Sequence, residues 1–220
     1  MQTVIEIVLT FVPLIMAIVL HEVAHGYAAL LLGDDTAKKK GRLSLNPLHH
    51  ADITGTVILP TLLWLSKTGF VFGWARPVPV NFKKLKQRPR DDVIVAAAGI
   101  VMNLWLAGMA ALLLLLAAFI PTPYLRGLIC LFLINMIIFN VGLAVFNLIP
   151  IPPLDGSKIV FSWIKYPWAQ KYLNSDKYGL IIMVLLLFII PAIGGSFGQD
   201  WNLIKNYMIS ATRYICSFLM

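Results

Sequence analysis

His21, Glu22 and His25 are the residues best placed to do chemistry, because they stand together inside an apolar run, Leu20 to Leu30, that reads L-H-E-V-A-H-G-Y-A-A-L. On a helix, residues four apart lie one above the other on a single face, which suits two neutral imidazoles meeting one metal ion. Glu22 flanks that face. In the H-E-x-x-H arrangement two histidines bind zinc and the carboxylate takes a proton from the attacking water. A motif with two free positions also arises by chance, and a lone histidine on an apolar face is commonly a satisfied core residue. Three ionisable groups within five positions are another matter. Each costs roughly 2.5 to 3.5 kcal/mol at bilayer centre when charged, so their company marks a functional site.

The elements that must position them are membrane spans. The 220 residues are 59% hydrophobic and only 13% charged, with mean hydropathy +0.82, against roughly 25% charged in a soluble domain. The net charge of +8 reports basic cytoplasmic loops before it reports nucleic acid, so no nucleic-acid partner is expected. Cys130 and Cys216 lie far apart without C-x-x-C spacing, which indicates neither a disulfide framework nor a thiolate metal site. Met1 to Glu6 carries an acid where a signal peptide carries positive charge, so the first apolar segment is expected to stay attached.

The pattern predicts an all-α polytopic membrane protein in one domain, residues 1–220, with four to five spans. The first covers 3–32, which at ~1.5 Å per residue sets His21 roughly 27 Å along, near the far leaflet. Residues 41–92 are irregular, and Arg42 to Leu45 reads as a short strand. Val57 to Leu65 is too short to span, contains Pro60 and has basic residues on both sides. A re-entrant loop fits 57–74 better than a crossing, leaving a re-entrant loop or small β element after the first span. Further spans are expected at 93–120, 127–148 and 178–192, while 201–220 suits an amphipathic interfacial helix as well as a fifth span. Residues 33–92 and 157–177 hold eleven and four of the eighteen Lys and Arg residues, which places both loops in the cytoplasm.

The third span ends in Asn147-Leu148-Ile149-Pro150-Ile151-Pro152-Pro153-Leu154-Asp155-Gly156, where the prolines forbid a continuing helix. Irregular backbone at that depth is tolerated where it lines a cavity. Taken alone, Asp-Gly there is an ordinary turn. Two histidines leave zinc short of a ligand, however, and Asp155 is the acid that shares their depth and apolar setting. His49 and His50 sit in the basic loop and point in different directions, so they read as solvated or interfacial residues.

With these motifs in order, the chain resembles the site-2 proteases, a family of intramembrane zinc metalloproteases. His21-Glu22-Val23-Ala24-His25 and Asn147 to Gly156 carry the resemblance, and Gly41 to Gly55 and Gly73 to Asn81 are similar to the shorter bacterial and archaeal members. It implies one zinc ion per chain held by His21, His25 and Asp155, with Glu22 as general base. The family's G-P-x-x-N element maps to Gly99 to Asn103, with Ile100 in place of proline. No PDZ-like insertion or appended nucleotide-binding domain is evident, so selection is expected from the membrane core or from a regulatory membrane partner.

The implied activity is hydrolysis of transmembrane protein substrates within the lipid bilayer of a bacterial or archaeal cell membrane, at a site near the cytoplasmic leaflet. A substrate helix must unwind first, and Asn147, Asn103 and Asn140 are candidates for holding it, although polar residues in spans also serve as interhelical glue. The rival readings are an ion transporter, which would also line a bundle with His, Glu and Asp, and an inactive relative serving as a scaffold. Against the first stands the lack of paired broken helices, and against the second the presence of all four residues.

Overall fold

The computed structural model describes residues 2–58, 61, 75–199 and 201–220, and every regular element among them is helical. α1 (Gln2–Leu31) is followed by a single turn, α2 (Thr36–Lys39), and then by two long helices, α3 (Arg90–Ala117) and α4 (Pro123–Asn147). α5 (Asp155–Phe161) and α6 (Pro167–Leu173) are short, and α7 (Asp176–Val184), α8 (Ile190–Ser196) and α9 (Leu203–Leu219) complete the order.

Among the described residues, α1, α3 and α4 are the helices long and apolar enough to cross a membrane. They pack on one another as a three-helix core. Alanines 107, 110, 111 and 117 of α3 let it approach Leu133, Met136, Ile137, Val141 and Val145 of α4 closely, the small-against-large packing that replaces the hydrophobic effect in lipid. The outer faces stay apolar: Ile7, Phe11 and Ile15 on α1, and Val101, Trp105, Leu112 and Leu115 on α3, are exposed. Surfaces of that extent belong in a bilayer, and the chain is a multi-pass membrane protein.

The turn that closes α1 holds Gly33, whose φ of +106° suits glycine. Beside it the Asp34 carboxylate is fully buried, accepting hydrogen bonds from the Thr36 amide and hydroxyl and, at 2.6 Å, from the Asn81 amide. The loop leading into α3 is thereby tied to the end of α1, and Ala29, Leu85 and Val95 close a small core beneath it. α3 begins at Arg90, before the expected residue 93. Asp91 accepts from the Gln87 amide at 2.8 Å, and Asp92 pairs with Arg88, extending the first turn backwards.

The fourth expected span, 178–192, is helical from Asp176 to Ser196 but changes pitch, with a π segment at Leu185–Ile189. Pro191 explains the change, because its ring clashes with the carbonyl four residues back and the preceding turn widens. α9 runs alongside α4. Ile204 meets Phe146 and Ile149 at the C-terminal end of α4, whereas Cys216 joins the α3/α4 alanine core. Its opposite face, with Arg213, is exposed.

Two expectations concern the region after α2. Arg42 to Leu45 forms no strand, a correction with a local cause. Arg42 Nη2 donates to the Arg76 carbonyl at 2.8 Å, the Val78 amide is spent on Glu22, and Pro77 and Pro79 have no N–H to give, so this segment has no donors left for a ladder with Arg42 to Leu45. The expected re-entrant stretch, 57–74, lies almost wholly outside the described residues.

Candidate metal centre

His21 and His25 sit one helical turn apart on α1, 5% and 9% exposed. Their rings stand perpendicular with centroids 4.6 Å apart, and the two Nε2 atoms are 3.0 Å from each other. Asp155 arrives as the first residue of α5, where an acid suits the helix dipole. Its Oδ2 lies 3.2 Å from each Nε2. The sequence-expected ligands thus meet at one point and form the three-residue group of metal-ligating side chains among the described residues.

Two glycines make the meeting possible. A Cβ on Gly99 of α3 would stand 2.5 Å from His21 Cε1 and 2.5 Å from His25 Nε2, so α3 can back onto both rings only because nothing is there. A Cβ on Gly156 would stand 2.3 Å from the Leu148 carbonyl oxygen, so the first turn of α5 can fold against the proline-rich loop and aim Asp155 inward.

Behind the rings, hydrogen bonds fix where the protons are. His25 Nδ1 is 2.7 Å from the Val95 carbonyl, which only accepts, so Nδ1 carries the proton and Nε2 a lone pair. His21 Nδ1 is 2.6 Å from Asn103 Oδ1, and the amide is oriented by its Nδ2 donating to the Ala17 carbonyl at 3.1 Å. Nε2 of His21 is therefore a lone pair too. The third atom, Asp155 Oδ2, is buried with no hydrogen-bond partner. Three lone pairs facing one another with no hydrogen between them repel unless a cation shares them. Ligands about 2.1 Å from a tetrahedral ion lie about 3.4 Å apart, close to the spacing here, and two imidazoles with one carboxylate are a zinc-type donor set.

Glu22 is half-buried and points off the histidine face. Its Oε2 accepts the Val78 amide at 2.8 Å. In Pro77-Val78-Pro79 that amide is the one N–H the backbone offers, since proline has none. Gly26, one turn beyond Glu22, lets this segment close in, because a Cβ there would meet Leu43 at 2.4 Å and Val78 at 2.9 Å.

The candidate substrate residues fall into two settings. Asn103 and Asn140 are fully buried and spend their amides inside the bundle, Asn103 Nδ2 on Asn140 Oδ1 at 2.8 Å and Asn140 Nδ2 on the Met136 carbonyl at 2.8 Å. Asn147 stands at the C-terminal end of α4, 9% exposed, with Nδ2 donating to the Leu143 carbonyl at 3.0 Å. His50, expected to be solvated or interfacial, is instead 1% exposed. Its Nε2 donates to the Ser44 carbonyl at 2.7 Å and its own carbonyl accepts the Arg76 amide, so it knits the loop and stands outside the metal group. The Val78 amide bond to Glu22 and the close approach at Gly99 go beyond the sequence expectations. The signals were present in the lone donor between two prolines and in a glycine four residues before Asn103.

Comparison with known proteins gives the chain's relatives. The model of peptidase family M50 matches residues 125–191, the part that carries Asp155. Over 184 residues the chain is 40% identical to "Putative zinc metalloprotease YwhC" of Bacillus subtilis, covering 82% of this chain and 80% of that protein. It is 29% identical over 214 residues to "Putative zinc metalloprotease Rip2" of Mycolicibacterium smegmatis, covering 93% and 78%, and 27% identical over 184 residues to the Rip2 protein of Mycobacterium tuberculosis, covering 83% and 67%. No solved structure matches. A relative at 40% identity over four-fifths of both chains, with the family model across α4 and Asp155, places the chain in peptidase family M50, the site-2 proteases.

Proposed function

We propose that this metalloprotease hydrolyses peptide bonds within or near the transmembrane segments of other membrane proteins, using one zinc ion held by His21, His25 and Asp155. The observation that carries the reading is the convergence of two Nε2 lone pairs and an unpaired carboxylate oxygen at 3.0 to 3.2 Å, among helices whose outer faces are lipid-like.

The chemistry that zinc supplies when bound is Lewis acidity toward the scissile carbonyl and the attacking water. The chain's own groups do the rest. Glu22 is the general base: the Val78 amide holds Oε2 at 2.8 Å, which leaves Oε1 to take the water's proton and hand it to the departing amine nitrogen. A substrate helix shields its peptide bonds until it unwinds, and Asn147, at the irregular end of α4, has its carbonyl oxygen available to accept a backbone N–H of the unwound chain. Val95 and Asn103 hold the two rings so that the ligand nitrogens need not reorganise during the reaction. The partners are a transmembrane substrate, the lipid bilayer and, for selection, a regulatory membrane protein. The basic loops at 33–92 and 157–177 support a site near the cytoplasmic leaflet of the cell membrane.

Purified chain reconstituted with a membrane-anchored model substrate tests the reading. Cleavage mapped by mass spectrometry to the apolar segment, lost with a chelator and restored by zinc, is the expected result. Cleavage confined to soluble loops, or indifferent to chelation, would refute it.

A further inference from the structure

We infer that Asn140 is a positioning residue for the metal ligand His21, acting through Asn103 by a chain of side-chain amides that crosses three helices. The inference rests on reading His21, His25 and Asp155 as the zinc site, and concerns what keeps one of those ligands ready.

The two histidines are supported differently. His25 Nδ1 faces a backbone carbonyl, that of Val95, whose sense cannot change. His21 Nδ1 faces a side-chain amide, Asn103, whose oxygen and nitrogen differ by half a turn of one bond. With the oxygen toward the ring, Nδ1 carries the proton and Nε2 is free to ligate. With the nitrogen toward it, Nδ1 must accept, the proton moves to Nε2, and the ligand is lost.

What holds Asn103 is readable atom by atom. The Met136 carbonyl accepts from Asn140 Nδ2 at 2.8 Å, and a carbonyl cannot donate, so Asn140 turns its oxygen toward α3. That oxygen accepts from Asn103 Nδ2 at 2.8 Å, as does the Ala17 carbonyl of α1 at 3.1 Å. Asn103 therefore shows its oxygen to His21 at 2.6 Å. Flipping it would leave two buried acceptors unserved and set oxygen against oxygen, at 0% exposure for both asparagines. Neither amide has an atom exposed to a substrate. Their work is internal, from Met136 on α4 through α3 to α1.

Helix glue is the competing account, and Asn135 supplies its control. Its Nδ2 donates to the Leu9 carbonyl at 2.9 Å, joining the same two helices, α4 and α1, well away from the site. The test measures zinc affinity of the detergent-solubilised full chain by competition with a chromogenic chelator. Asn103→Leu and Asn140→Leu are expected to weaken zinc binding by about 10- to 100-fold, with the double variant no weaker than Asn103→Leu alone, because Asn140 acts only through its neighbour. Asn135→Leu is expected to bind as the wild type does. Asn140→Asp is expected to restore near-wild-type affinity, since a buried neutral carboxyl gives Met136 a proton and Asn103 an oxygen as the amide does. In the zinc-loaded protein, histidine-selective 15N NMR is expected to find His21 Nδ1 protonated and hydrogen-bonded, and to see that Nδ1 signal shift in Asn140→Leu.

Additive losses, an equal loss in Asn135→Leu, or an unchanged His21 Nδ1 signal overturn the relay. Should His21→Ala bind zinc as tightly as the wild type, the metal reading fails and takes this inference with it. Should binding need His21 while Asn140→Leu stays at wild-type affinity, the relay fails alone.

Discussion

Replacing Gly99 by alanine adds one methyl group where the geometry leaves no room. The new Cβ would lie 2.5 Å from His21 Cε1, 2.5 Å from His25 Nε2 and 2.6 Å from His21 Nδ1. An ordinary contact begins near 3.4 Å, so the rings and α3 must separate by roughly 1 Å. Both supporting hydrogen bonds come from α3, at 2.6 Å from Asn103 and 2.7 Å from Val95. Lengthening them by that amount takes them beyond the about 3.2 Å limit of a good bond. Overpacking of this kind costs about 1 to 3 kcal/mol, and loss of ring support lowers metal affinity about 10- to 100-fold. Zinc retention after dialysis against a graded chelator series reads the second effect. Gly108→Ala on the same helix is the matched control, because its Cβ meets nothing within 4 Å and alanine is the better helix former by about 1 kcal/mol. Equal zinc retention in the two alanine variants would refute the reasoning, since the close approach of α3 would then not matter.

Other outcomes follow from the same contacts. Asp155→Ala is expected to lose most of its zinc while remaining inserted, whereas His50→Ala is expected to keep zinc and unfold more readily, because it empties a site that is 1% exposed and hydrogen-bonded to Ser44; metal analysis with thermal unfolding separates the two. Burial would raise the Asp34 carboxyl, but hydrogen bonds from Thr36 and the Asn81 amide, with Lys84 nearby, hold it below its ordinary range. Its stabilisation is therefore complete above the unfolded value of about 3.9 and is lost as pH falls through the lower folded value. Amide exchange of residues 81–84 should quicken on that acid limb in the wild type, and Asp34→Asn should flatten the dependence. A cysteine at Lys84, with Cys130 and Cys216 replaced, should react with an impermeant thiol reagent only after the cytoplasmic face is opened; labelling from outside intact cells would reverse the topology.

The parts legible in the sequence are those whose signal is local or periodic. His21 and His25 are found by helical spacing, Asp155 by an acid standing in apolar surroundings, and α1, α3 and α4 by uninterrupted hydropathy. What escaped depends on which groups meet across helices. Asn103 in a span reads as helix glue or as a substrate contact, and its bonds to His21, Ala17 and Asn140 depend on neighbours that no spacing announces. His50 lies in a basic loop, and its burial follows from bonds to Ser44 and Arg76 that no spacing announces. The strand expected at Arg42 to Leu45 fails because alternation describes faces, whereas a ladder needs a partner with donors, and the facing segment carries two prolines.

The assignment of Glu22 as the base, with the histidines and Asp155 as ligands, makes the sharpest demand. Glu22→Gln keeps nearly the same shape and an oxygen for the Val78 amide, but an amide cannot take a proton from water at neutral pH. The measurement is cleavage of a transmembrane substrate by zinc-loaded Glu22→Gln protein, with metal content determined on the same sample. The account predicts a full zinc complement and a rate lowered by on the order of 10²- to 10⁴-fold; wild-type cleavage by metal-loaded Glu22→Gln would contradict it.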